Sequence, residues 1–287
     1  MPPPETSLPP VDPLVDAATL RDLLAAEAVT VLDVRWSLGG PPGAEEYAAG
    51  HVPGAAYVDL PTELADPADG GDGGRHPLPG RDRFVGAMQR AGVRRDRPVV
   101  AYDDWQGMAA ARAWWLLRHH GHEDVRVLDG GWAAWRATGG EEATGPPQPA
   151  AVPGDFDGEP GAMPVVGPDR VPDVAVLLDA RTAERFRGER EPVDRVAGHV
   201  PGARNLPAAA LLDEEARFLD PEALAGVLAR HGAGPGGDVA AYCGSGITAC
   251  HTVLAGERGG VRVALYPGSW SGWCSDPSRP VAQGEGT

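Results

Sequence analysis

The sequence predicts an α/β chain built as two copies of one domain, each a parallel sheet with helices on both faces. Three observations predict it. Four short motifs recur in the same order in the two halves, short apolar runs alternate with helix-forming stretches, and a Pro- and Gly-rich segment separates the copies. Val31-Leu32-Asp33-Val34-Arg35 returns as Leu177-Leu178-Asp179-Ala180-Arg181, and Ala49-Gly50-His51-Val52-Pro53-Gly54-Ala55 as Ala197-Gly198-His199-Val200-Pro201-Gly202-Ala203. Val99-Val100-Ala101-Tyr102-Asp103-Asp104 returns as Val239-Ala240-Ala241-Tyr242-Cys243-Gly244. Val125-Arg126-Val127 returns as Val261-Arg262-Val263, followed in the two copies by Gly130-Gly131-Trp132 and Gly268-Ser269-Trp270.

In chain order, residues 18–26 read as a helix, with Leu20, Leu23 and Leu24 on one face. Residues 29–34 are a short apolar, β-branched run and read as a buried strand, as do 98–102 and 125–128. Between the last two, residues 108–119 are rich in Ala and Leu and contain neither Gly nor Pro, which predicts a helix. The second copy supplies helices at 221–231 and 248–254. Strands alternating with helices imply βαβ units and parallel pairing. The expected division is 14–140 for the first domain, 141–164 for the linker and 165–283 for the second domain.

Composition narrows the chemistry. The 287 residues carry a formal charge of −16, and all 25 basic residues are arginine. Without lysine there is no phosphate-loop lysine and no Schiff base. The acidic balance argues against a nucleic-acid or anionic-membrane surface. A hydrophobic fraction of 42% with eight tryptophans is enough for real cores. Three cysteines do not make a disulfide framework. Met1–Glu5 lacks a basic segment followed by an apolar one, so no signal peptide is expected. Nor does any apolar run approach the roughly 20 residues of a membrane helix. A cytoplasmic location is the expectation.

In parallel sheets, ligands bind beyond the carboxyl ends of the strands. There Tyr242 ends a strand, residues 247–254 begin a helix, and Cys243-Gly244-Ser245-Gly246 turns between them. The two glycines let the turn close with its N–H groups pointing inward, and the helix adds its positive end. A cysteine at the mouth of such an arc is favoured as the thiolate.

At these residues the chain resembles the rhodanese family of sulfurtransferases in its tandem form, two rhodanese-like domains in one chain. Residues 47–58, from Tyr47-Ala48-Ala49-Gly50-His51 to Tyr57-Val58, look like the first family signature. Tyr266-Pro267-Gly268-Ser269-Trp270-Ser271-Gly272-Trp273 is similar to the C-terminal one, with Gly272 where the family usually has Glu. The resemblance implies covalent catalysis in which Cys243 takes the outer sulfur of thiosulfate or 3-mercaptopyruvate as a persulfide and passes it to cyanide or a thiol. It implies no metal or organic cofactor. The partners it implies are a small anionic sulfur donor and a thiol acceptor, either a small molecule or a protein. A monomer or weak dimer is expected. Asp103 stands where the first copy would have its cysteine, so that domain is expected to be silent and to wall the cleft.

Substrate contacts are expected from Gly244, Ser245, Gly246, Ile247 and Thr248 of the loop. Thiosulfate-type relatives place Arg and Lys after the cysteine; here Gly244 and Ser245 are similar to the mercaptopyruvate type. In that type a Ser–His pair, often with an acid, polarises the donor. Ser245 and His51 match it, with Glu46 as a third member. Arg185 matches the first carboxylate-binding arginine. The second would directly follow Glu191-Pro192, but Val193 stands there and Arg195 lies two residues on. Against these readings, His199 shares the context of His51, which suggests a structural turn for both. Cys250 and Cys274 read as packing thiols, and Cys250-His251 lacks metal-ligand spacing. The histidines 119, 120 and 122 read as a structural cluster at a helix end, and 63–72 as a solvated acidic loop. A phosphatase would need arginine at 249, which is alanine. A non-enzymatic sulfur carrier or binding module is the other reading.

Overall fold

The computed structural model describes residues 12–68 and 71–285. The leader reading on Met1–Glu5 therefore lies outside the described residues, as do positions 69 and 70 of the acidic loop.

The first half runs β1 (Leu14–Val15), α1 (Ala17–Ala25), β2 (Thr30–Asp33), α2 (Gly43–Ala49), β3 (Ala56–Tyr57), α3 (Leu60–Glu63), α4 (Arg81–Arg90), β4 (Val99–Tyr102), α5 (Met108–His119), β5 (Val125–Leu128) and α6 (Gly131–Ala137). The second runs β6 (Val176–Asp179), α7 (Ala183–Arg187), β7 (Arg204–Asn205), α8 (Pro221–Arg230), β8 (Val239–Tyr242), α9 (Thr248–Arg258), β9 (Ala264–Leu265) and α10 (Ser269–Trp273). The first sheet has the order β1-β5-β4-β2-β3 and the second β7-β6-β8-β9, and every pairing is parallel. Strands β2 and β4 of the first sheet and β6 and β8 of the second are almost wholly buried, as their apolar runs require. Helix α1 starts where Asp16 caps the N–H of Thr19 at 2.7 Å, and α8 where Asp220 caps that of Ala223 at 2.8 Å.

Helix α4 carries no repeat signal and is legible only here. Its counterpart is α8, because both lead into the strand that precedes the cysteine or aspartate loop; the equivalent of α1 shrinks to a 3-10 turn at Val171–Asp173. The repeated motifs form one network in each copy. Asp33 binds the Arg35 guanidinium (2.6 Å), Arg35 donates to Gly50 O (2.6 Å) and lies 5.0 Å from the Trp132 ring centre. In the second copy Asp179, Arg181, Gly198 O and Trp270 repeat this at 2.6, 2.7 and 4.8 Å.

Residues 141–164 run against the first half rather than looping free. Gly154 and Phe156 donate to Gln89 O and Val93 O, and the Phe156 ring is buried beside Phe84. Across the middle of the molecule α5 packs on α9, and one apolar core, including Trp114, Trp115, Val253 and Leu254, spans both halves. No helix among the described residues is long and apolar enough to cross a membrane.

Candidate active site

Strand β8 delivers Cys243 to the rim of the sheet, and the loop behind it is fastened to the start of α10. Trp270 N donates to Cys243 O (3.0 Å), Ser271 N to Gly244 O (2.9 Å), and the Ser269 hydroxyl accepts from Cys243 N (3.1 Å). Gly246 turns the chain at φ +83°, where a Cβ would stand 2.5 Å from Pro267 O, so only glycine fits. That turn aims Gly246 N–H at Cys243 Sγ, 3.2 Å away.

Cys243, 3% exposed, lines a cavity of about 280 Å³. Gly244 of the loop and Thr248 at the start of α9 line it, with Arg181 and Arg185 on one wall. Trp105, Gln106 and Met108 of the first half close another. Arg185 is held by Glu191, through Nε at 3.2 Å and Nη2 at 2.7 Å.

The matching loop of the first half reveals what this backbone arrangement binds. Asp103 is fully buried, and its carboxylate accepts from four N–H groups: Trp105 (2.9 Å), Gly107 (2.9 Å), Ala109 (2.8 Å) and Ala110 (2.8 Å). Burial raises the Asp103 carboxyl, and these four donors oppose it. The first turn of α5 and the loop before it thus form an anion cradle, filled by the chain's own carboxylate.

Several expected site residues fall elsewhere. Ser245 is partnered by His76, with Nδ1 at 2.8 Å from Oγ, and not by His51. His51 stacks on Tyr47 at 3.7 Å and bonds its carbonyl at 2.8 Å; His199 does the same with Phe186 at 3.7 and 2.8 Å. The shared motif therefore builds a turn twice, and neither His51 nor Glu46 lines the Cys243 cavity. Arg195 is exposed and lines a different cavity, with Arg75, Ser271 and Cys274. Ile247 is core. Ser245 points away from the cavity, towards His76.

His76 itself has no repeat counterpart, and in the sequence it sits inconspicuously in a Pro- and Gly-rich stretch. Burial, with the Arg112 and Arg75 guanidiniums adding to it, pushes its pKa down to about 4, so the imidazole is neutral near pH 7. The Trp36 ring meets it edge-on at 5.4 Å. Beneath the loop lies Arg112, 0% exposed, whose guanidinium donates at 3.2 Å to Leu64 O, His76 O, Pro77 O and Gly246 O. One buried cation therefore ties three first-half carbonyls to the cysteine loop. Cys250 lies beside it, donates to Gly246 O (3.3 Å), and is driven up to about 12 by burial, so it stays a thiol.

The model of the rhodanese-like domain matches residues 16–138 and again 169–276. The chain belongs to the rhodanese family. This rhodanese is 45% identical over 276 residues to the "Putative thiosulfate sulfurtransferase SseB" of Mycobacterium tuberculosis, covering 94% of this chain and 97% of that one. It is 44% identical over 282 residues to the "Probable 3-mercaptopyruvate sulfurtransferase" of Pseudomonas aeruginosa, covering 95% and 98%. Among solved structures, the 3-mercaptopyruvate enzyme SseA of Escherichia coli superposes with a TM-score of 0.79 at 31% identity, over 91% of this chain and all of the other. These relatives of the rhodanese are named as sulfurtransferases, a class of enzyme.

Proposed function

We propose that the chain is a sulfurtransferase that moves a sulfane sulfur from 3-mercaptopyruvate or thiosulfate to a thiol, or to cyanide in an assay, through a persulfide on Cys243. The observation that carries this reading is the pair of loops. One strand-to-helix turn cradles a carboxylate, and its twin presents a cysteine sulfur to a cavity with a backbone N–H already on it. The Cys243 thiolate attacks the outer sulfur and forms the S–S bond. The donor's bond to that sulfur breaks, releasing sulfite from thiosulfate or, after protonation of the leaving carbon, pyruvate from mercaptopyruvate. An incoming thiolate then takes the outer sulfur and returns the Cys243 thiolate, so ping-pong kinetics follow. The first half, with Asp103 in the cysteine's place, holds no persulfide and acts as a wall of the cleft.

The donor reading rests on the loop. With Gly244 and Ser245 after the cysteine, no side-chain cation rises from the loop itself, and the Ser245 hydroxyl is hydrogen-bonded to a neutral His76. We therefore expect 3-mercaptopyruvate to be used at least as well as thiosulfate. The names of the two bacterial relatives are divided on this point. Cyanolysis tests both parts. The enzyme is incubated with each donor, cyanide is added, thiocyanate is measured, and intact mass is followed for one added sulfur on Cys243. Turnover with a kcat/KM for mercaptopyruvate equal to or above that for thiosulfate is expected. The absence of both turnover and persulfide with either donor would leave a binding module.

A further inference from the structure

Two arginines from different halves meet over Gly244. A methyl group placed on that residue would lie 3.3 Å from Arg75 Nη2 and 3.4 Å from Arg185 Nη1. Each guanidinium is fixed by its other edge. Arg75 Nη1 donates to Asp194 Oδ1 at 2.6 Å, and its backbone N–H to Ser271 Oγ at 3.0 Å. Arg185 uses Nε and Nη2 on Glu191, and Nη2 again on Asp194 Oδ2 at 3.2 Å. Arg75 Nη2 and Arg185 Nη1 have no hydrogen-bond partner among the described residues. The buried Nε of Arg75 is also unpartnered. So two acids orient two cations, and the donor atoms left over converge over Gly244, which lines the Cys243 cavity, although the rest of Arg75 lines the other one. Glycine at 244 keeps that spot open.

We propose that Arg75 is the second arm of the site's anion grip, binding with Arg185 the carboxylate or sulfonate end of the sulfur donor above Gly244. The inference rests on the sulfurtransferase reading for the identity of the donor, and on geometry alone for the grip. It assigns the place left open at Val193: the second guanidinium comes from the first half. Two guanidinium edges directed at one oxyanion give geometric selectivity as well as charge. The half without a nucleophile thereby supplies a substrate contact.

The test compares two alkylating reagents on Cys243 in the full chain, the anionic iodoacetate and the neutral iodoacetamide, each displaced at carbon by the thiolate with loss of iodide. Adduct on the Cys243 peptide is followed by mass spectrometry. Arg75→Ala, and Arg75→Gln as a variant that keeps most of the stem, are expected to slow iodoacetate about ten-fold and leave iodoacetamide unchanged. In parallel, KM for 3-mercaptopyruvate should rise about ten-fold with kcat within about three-fold, the signature of lost donor binding. Equal slowing of both reagents marks Arg75 as a mere tie between the halves and overturns the proposal, as does no change with either. Selective loss of iodoacetate reactivity in a chain that turns over neither donor keeps the grip and overturns the sulfurtransferase reading instead.

Discussion

At the scale of single residues, chemistry is divided between one cavity-lining thiol and several buried partners. Cys243 alone among the three cysteines faces the cavity with its thiol sulfur on an N–H. Cys243→Ser should abolish persulfide formation, read by intact mass after donor treatment. Cys250→Ser should keep turnover within about three-fold, since its thiol stays protonated and only donates to Gly246 O; an inactive Cys250→Ser would move the nucleophile from Cys243. Asp103 makes a separate point. Removing a carboxylate that satisfies four buried N–H groups leaves them without partners, so Asp103→Ala should cost at least about 3 kcal/mol in urea unfolding. Stability within about 1 kcal/mol of the parent would mean that water replaces the carboxylate.

At the scale of elements, the site depends on one turn between β8 and α9. Gly246 is at φ +83°, and its would-be Cβ meets Pro267 O at 2.5 Å. Gly246→Ala therefore combines left-handed strain, about 1–2 kcal/mol, with a clash against rigid backbone. The turn must then open, moving the N–H off Cys243 Sγ and the carbonyl off Arg112. A fall in kcat/KM of at least about ten-fold and a lower Tm are expected; unchanged kinetics would show that the N–H contact is dispensable. The elements themselves were largely legible. Buried strands at β2, β4, β5 and β8 announce themselves as apolar runs, and α5 as a stretch free of Gly and Pro. Helix α4 was not, because its Arg81-Asp82-Arg83 start and the internal Gly86 blur its apolar face, and its own Phe84 and Met88 are recognised as core only once packed.

At the scale of the whole molecule, the seam between the halves is where acid should act. His76 sits over Arg112, and His251 stacks on Phe218 at 4.2 Å beside Gly107 of the first half. Burial lowers His76 from 6.5 to about 4 and His251 from 6.5 to about 3. Both are neutral in the folded state, while the unfolded chain takes up protons below about pH 6.5. Their contribution is therefore complete above that pH and is lost as pH falls towards 4, at up to about 1.4 kcal/mol per pH unit for each ring. Urea midpoints should drop between pH 7 and pH 5, and His251→Phe should flatten that slope. An equal slope in the variant would place the titration elsewhere.

The sequence by itself determined the duplication, the parallel α/β class, the loop that carries Cys243 and the aspartate in its twin. These are local: each is written in a run of adjacent residues whose period, turn chemistry and repetition follow from the backbone. Only the tertiary structure decided which side chains surround the loop. His76 replaced His51 as the partner of Ser245, Arg195 turned to another cavity, and Arg75 and Arg112 arrived from the first half. His76, Arg75 and Arg112 have no repeated counterpart, and each is more than a hundred residues from Cys243 in the chain. Their positions follow from α5 packing on α9, which buries both helices in one apolar core and brings the loop at 71–80 down onto the cysteine loop.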